Sequence, residues 1–85
     1  MAAFIKTNGE ITNVTPKNGT DYKYEELKEF VGGYIEIVPI NDHEIMVVNE
    51  EGKLNNLPVN HIASLLYKYD TICGNVLVCD DSEVL

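Results

Sequence analysis

The pair Asn8-Gly9 lies between two short runs, Phe4-Ile5-Lys6-Thr7 and Glu10-Ile11-Thr12-Asn13-Val14, and dictates that the chain opens as an antiparallel hairpin. Asn-Gly is favoured where both central residues of a two-residue turn need positive φ, which brings the flanking strands side by side. A chain of 85 residues that begins this way must complete its sheet with a few further strands and short helices. At this length only about 60–65% of the unfolded surface is buried on folding, so a second copy or a partner is an expected source of further burial.

The rest of the chain supplies those elements. Pro16 to Thr20 stops the second strand, and Thr20 or Asp21 can cap a helix through Tyr24–Val31. On that helix Tyr24, Leu27, Phe30 and Val31 share one face, leaving Glu25, Glu26, Lys28 and Glu29 to water, and Gly32-Gly33 ends it. The β-branched runs Tyr34–Val38 and Glu44–Val48, joined by Pro39–His43, read as the two central strands. Ile45–Val48 is apolar on both faces, which means cover from both sides or a subunit contact. A second helix runs from about Val59 or Asn60 to Tyr67 with Ile62, Leu65, Leu66 and Tyr69 as its buried stripe, and Ile72–Cys79 forms the last strand. The expected fold is α+β, a small sheet of about five mainly antiparallel strands with two short helices packed on it. Residues 1–79 form one domain and residues 80–85 an acidic tail that frays.

Charge narrows the function. Fourteen acidic residues against six lysines and no arginine give a net charge of −8, which repels a polyphosphate backbone and argues against direct nucleic-acid binding. Without arginine, an anionic ligand would depend on lysine, backbone N–H groups and amides. No apolar run approaches the roughly 20 residues of a membrane span, and the first residues lack a signal-peptide pattern, so a cytoplasmic protein is expected. Cys73 and Cys79 fall in one strand-like stretch, where six residues span ~20 Å against a ~7 Å limit for a disulfide; they are expected as free thiols.

Catalytic groupings are sparse. The two serines, Ser64 and Ser82, lack a nucleophile-elbow context, and an apolar strand keeps a cysteine inert unless His43 or His61 reaches it. Asp42-His43-Glu44 has no metal-ligand spacing, and Gly32-Gly33 follows a helix, the reverse of a phosphate loop. No enzyme activity, cofactor or metal is expected. Asn49, Asn55, Asn56, Asn60 and Asn75, with Tyr34, Tyr67 and Tyr69, form the more informative set. Amides can read the edge of a base or a ribose, and tyrosines can stack on it; the same asparagines also serve as turn and cap residues.

The segment Val47-Val48-Asn49-Glu50-Glu51-Gly52-Lys53-Leu54, followed by Leu57-Pro58-Val59-Asn60-His61-Ile62-Ala63, resembles a family of small phage and mobile-element proteins known only as a domain of unknown function. Val31-Gly32-Gly33-Tyr34-Ile35-Glu36 and Gly74-Asn75-Val76-Leu77 match its flanking motifs, so the resemblance runs from about Tyr24 to Val78. It implies a bacterial or phage cytoplasmic setting and carries no activity with it. Motif positions and ligand chemistry together give the candidate ligand-binding residues Tyr34, Glu36, Asn49, Glu50, Lys53, Asn60, Ala63 and Asn75.

Two functions fit. The first is a phage-type anti-defence protein, a homo-oligomeric sponge that sequesters a nucleotide-derived immune signal of the ADP-ribose or cyclic-nucleotide type between subunits. The alternative is an acidic inhibitor that blocks the nucleic-acid groove of a restriction or CRISPR-type nuclease, a host defence protein. Neither involves a membrane.

Overall fold

The computed structural model describes residues 2–84. Its opening hairpin pairs β1 (Ala2–Ile5) with β2 (Ile11–Val14), from Ala2↔Val14 to Ile5↔Ile11. The turn between them departs from expectation, because Gly9 alone takes a positive φ, +93°, while Asn8 does not. The Gly9 N–H donates to the Lys6 carbonyl at 3.0 Å and the Lys6 N–H to the Glu10 carbonyl at 2.9 Å. This is the three-residue loop with a glycine bulge, the alternative to a two-residue turn. Asn8 contributes its side chain instead, accepting the Glu10 N–H at 2.9 Å.

Beyond the hairpin the order is α1 (Tyr24–Val31), β3 (Ile35–Pro39), β4 (Glu44–Asn49), α2 (His61–Leu66) and β5 (Val76–Asp80). The five strands form one antiparallel sheet in the order β2-β1-β5-β4-β3, with the two short helices packed on it, so the expected α+β fold is found. The centre lies elsewhere than expected. β3 is an edge strand, and β5 occupies the middle, between β1 and β4, with Val76 and Leu77 fully buried. Local pattern marks a strand as apolar but does not say which distant strand it joins.

Side-chain alternation sends successive residues of β4 and β5 to opposite faces. Val47, Leu77 and Cys79 meet Leu27 and Val31 of α1, with Tyr22 and Phe30 packed edge to face beside them at 6.0 Å. Met46, Val48 and Val76 point the other way and meet Ala63 of α2 and Ile72. The apolar run Ile45–Val48 is therefore covered on both sides within one chain.

Five local readings need correction. Neither Thr20 nor Asp21 caps α1, whose N-terminal flanking residue is Lys23. Glu26, expected in water, is buried, and its carboxylate accepts the Lys23 N–H at 3.2 Å and the Lys17 N–H at 3.1 Å. Tyr24, assigned to the apolar face, is exposed under the Lys28 ammonium. The α2 stripe holds at Ile62, which packs on the core, but Ala63 faces the sheet, so Leu65 (79% exposed), two residues and about 200° further on, points outward, and Tyr69 (86%) lies beyond the helix end at Leu66. The acidic end does not fray over Asp80–Glu83. Asp80 caps a 3₁₀ turn at Asp81–Glu83 by accepting the Ser82 N–H, and the Glu83 carbonyl accepts the Tyr22 N–H at 2.7 Å.

Candidate functional site

On the α2 side of the sheet a cleft of about 180 Å³ remains open. Val38 and Val48, with Ile72, form its apolar floor. Glu36 lies on the same face of β3 as Val38, two residues earlier, and so comes to the cleft with Glu50 and Lys53 from the turn after β4. Tyr67, Asp70 and Cys73 complete the wall from the segment between α2 and β5. In the sequence this segment stands out for Tyr67 and Tyr69 as candidate stacking rings, and Asp70 carries no signal. Its link to Lys53 is an ion pair between Lys53 Nζ and Asp70 Oδ2, seventeen residues apart, for which no local pattern exists. Hydrogen bonding from Lys53 chiefly, then from the Thr71 N–H, lowers the Asp70 pKa from its ordinary value. Gly52 permits the wall to close: a Cβ there would stand 2.5 Å from the Cys73 carbonyl oxygen.

The eight candidate residues divide by what their polar atoms already do. Glu36, Glu50 and Lys53 line the cleft with their side chains exposed. Asn49 borders it, but its side chain turns to the α1 face, where Nδ2 donates to the Val31 carbonyl at 3.1 Å and Oδ1 accepts the Glu51 N–H at 2.8 Å. Tyr34 is outside the lining, exposed, with the Lys28 ammonium 5.2 Å from its ring centroid. Asn60 is buried: Nδ2 donates to the Ile5 and Gly74 carbonyls, both at 3.0 Å, and Oδ1 accepts the Ala63 N–H at 3.0 Å. It caps α2 and ties the helix to β1 and the entry of β5, work that leaves no amide atom for a ligand. Ala63 is fully buried against the sheet.

Asn75 lies in a different place, accepting the Thr7 N–H at 3.0 Å. With Asn49, Asn55 and Thr7 it borders a second, uncharged hollow of about 300 Å³ near Gly32 and Gly74. The structure thus splits the asparagine set between an interior brace at Asn60, this hollow, and an exposed turn where Asn56 takes a left-handed φ of 55°.

Reactive groups are separated. Desolvation, chiefly, pushes the Cys79 thiol up to about 12 and the Tyr22 phenol likewise to about 12. Cys73 and Cys79 are both free, Cys73 beside the cleft and Cys79 in the core. Neither histidine lines the cleft; His43 is at the β3–β4 turn and His61 opens α2. Among the described residues no three His, Cys, Asp or Glu side chains form a group able to hold a metal ion, and no helix is long and apolar enough to cross a membrane.

These features define a small α+β domain with an open acidic cleft on the side of its shorter helix. The chain belongs to the family described as Domain of unknown function (DUF3846), whose model matches residues 2–84. The match is wider than the expected stretch from Tyr24 to Val78 and takes in the opening hairpin and the acidic end. No curated protein and no solved structure matches the chain.

Proposed function

We propose that the protein is a non-catalytic acidic domain that inhibits a basic protein by occupying its nucleic-acid-binding groove, as in a restriction or CRISPR-type nuclease. One observation carries this reading. Eleven of the fourteen carboxylates are exposed, and of these eleven the ion pairs among the described residues engage Glu10 and Asp70. Exposed charge of one sign repels itself within the fold and steers association with a surface of opposite sign.

Nucleotide sequestration becomes the second reading, and the observation in its favour is the uncharged, amide-bordered hollow at Asn49, Asn55 and Asn75. Its volume is at the low end for a ligand site, so a second copy of the chain would have to close it. It ranks second because Asn60 and Ala63 are internal and Lys53 is already bonded to Asp70. Both readings place the protein in the bacterial cytoplasm as a phage or mobile-element product acting against host defence, the setting that the family resemblance implies.

The test is DNA cleavage by defence nucleases with the protein added. The first reading predicts stoichiometric inhibition that weakens steeply with salt and is reduced by converting Glu25 and Glu29 to Lys. Glu26 is left intact because its carboxylate holds the start of α1. Unchanged cleavage, together with a stoichiometric nucleotide released by heat from protein incubated in infected-cell lysate, would replace it with the second reading.

A further inference from the structure

We infer that the cleft between β3 and the segment after α2 is a receptor for a single alkyl-guanidinium or alkyl-ammonium group, supplied by an arginine or lysine side chain of the partner. The inference rests on the acidic-partner reading and names the contact that would give it specificity.

The cleft is too small for a whole nucleotide, since about 180 Å³ falls below the ~300 Å³ at which drug-sized pockets begin. One long side chain is the scale of ligand that fits. Its floor of Val38, Val48 and Ile72 is apolar and suits a methylene stem. Its rim carries Glu36, Glu50 and Asp70 against one ammonium, that of Lys53, which Asp70 engages. Glu36 and Glu50 have no ion-pair partner among the described residues, so the cleft holds two uncompensated carboxylates above an apolar base. Tyr67 adds a ring to the wall, buttressed by Tyr69 at 5.4 Å, and a ring face attracts a cation as a carboxylate does. A stem-plus-cation side chain satisfies floor and rim together, whereas an anion meets repulsion from the rim.

The surroundings fit a protein source for that cation. Leu54 (77% exposed) follows Lys53 in the chain and Tyr69 precedes Asp70, so the ion pair brings two large exposed apolar groups to the same region. An exposed tyrosine beside a charged pocket matches the aromatic anchors found at protein interfaces.

The experiment is an amide-resolved NMR titration of the whole chain with the capped peptide acetyl-Ala-Arg-Ala-amide, repeated with citrulline for arginine and with spermidine. Saturable shifts at Glu36, Glu50 and Thr71 with the arginine peptide, absent with the isosteric neutral citrulline peptide, are expected. The double variant Glu36→Gln/Glu50→Gln should bind at least about tenfold more weakly while its remaining spectrum stays unchanged. Spermidine binding tighter than the peptide would move the source of the cation from a protein to a free polyamine and overturn the partner assignment. Equal shifts with citrulline, or shifts spread over every exposed carboxylate, would overturn the site. The parent reading fails separately: nuclease inhibition retained by the double variant removes the cleft and keeps the inhibitor, while peptide binding without inhibition of any nuclease does the reverse.

Discussion

The two faces of the sheet are covered by helices of similar place and different build. α1 lays Leu27, Val31 and Phe30 across Val47, Leu77 and Cys79, and a hollow of about 250 Å³ remains beside it at Phe4, Glu29 and Phe30. α2 offers the fully buried Ala63, with half-buried Ile62, so its cover stops short and the floor by β3 stays open. The α1 face holds the aromatic packing, and the α2 face carries the cleft that Glu36, Glu50 and Asp70 line. A helix that packs through a small residue leaves room beside it, and the charged residues of the edge strand and adjoining loops then define that room.

The largest effect should separate the faces directly. Leu27→Ala empties a fully packed site and should cost about 2–5 kcal/mol in urea unfolding, whereas Leu65→Ala on α2 should change stability by less than about 0.5 kcal/mol. Equal losses would mean that Leu65 is buried in solution, in a second copy of the chain. Asn60→Ala should come next, at about 2–4 kcal/mol, because it removes the α2 cap and the buried amide bonds to the Ile5 and Gly74 carbonyls. Asn55→Ala, exposed at the hollow, should be near neutral.

Acid should weaken the fold through three carboxylates held below their ordinary pKa, each with its own donors. Asp21 is lowered chiefly by the Thr20 hydroxyl, Asp70 by Lys53, and Asp80 by the Ser82 N–H. A carboxylate with a depressed folded pKa stabilises above its unfolded value and loses that contribution as protons bind the native form. These contributions should be intact from pH 7 to about 5 and decline below about 4, by urea titration at each pH. Asp70→Asn should flatten that decline slightly, and the smallest signal is chemical: under native conditions iodoacetamide should label Cys73, at the cleft, well before the buried Cys79, whose thiol is pushed up to about 12.

Much of this architecture could be read from local pattern. The hairpin followed from Asn8-Gly9, and α1 from the spacing of Leu27, Phe30 and Val31 before two glycines. Where the reading failed, the deciding contact was distant. β5 reaches the sheet centre by pairing with β1 some seventy residues away, and Asn60 is immobilised by the Ile5 carbonyl, fifty-five residues earlier. The candidate site divided along the same line. Glu36, Glu50 and Lys53 came from residue type and motif, and the structure brings them to one cleft. Asp70 and Cys73 were missed there because the contacts that join them to the turn, the Lys53–Asp70 pair and the close approach of Gly52 to Cys73, link residues some twenty apart in the chain, and Tyr67 was read as a stacking ring without a place. Asn60 and Ala63 carried a signal of importance without its cause: a cap residue and a small buried residue are constrained by folding as tightly as a ligand contact would be.

The sign of one substitution tests the cleft most directly. Lys53→Gln removes the single ammonium of the lining and frees Asp70, making the cleft more acidic without touching its floor. A cation receptor should then bind acetyl-Ala-Arg-Ala-amide about two- to tenfold more tightly at low salt, by the same NMR titration. Weaker binding of the arginine peptide by Lys53→Gln, with the fold intact, would contradict the account and return Lys53 to the role of a ligand for an anion.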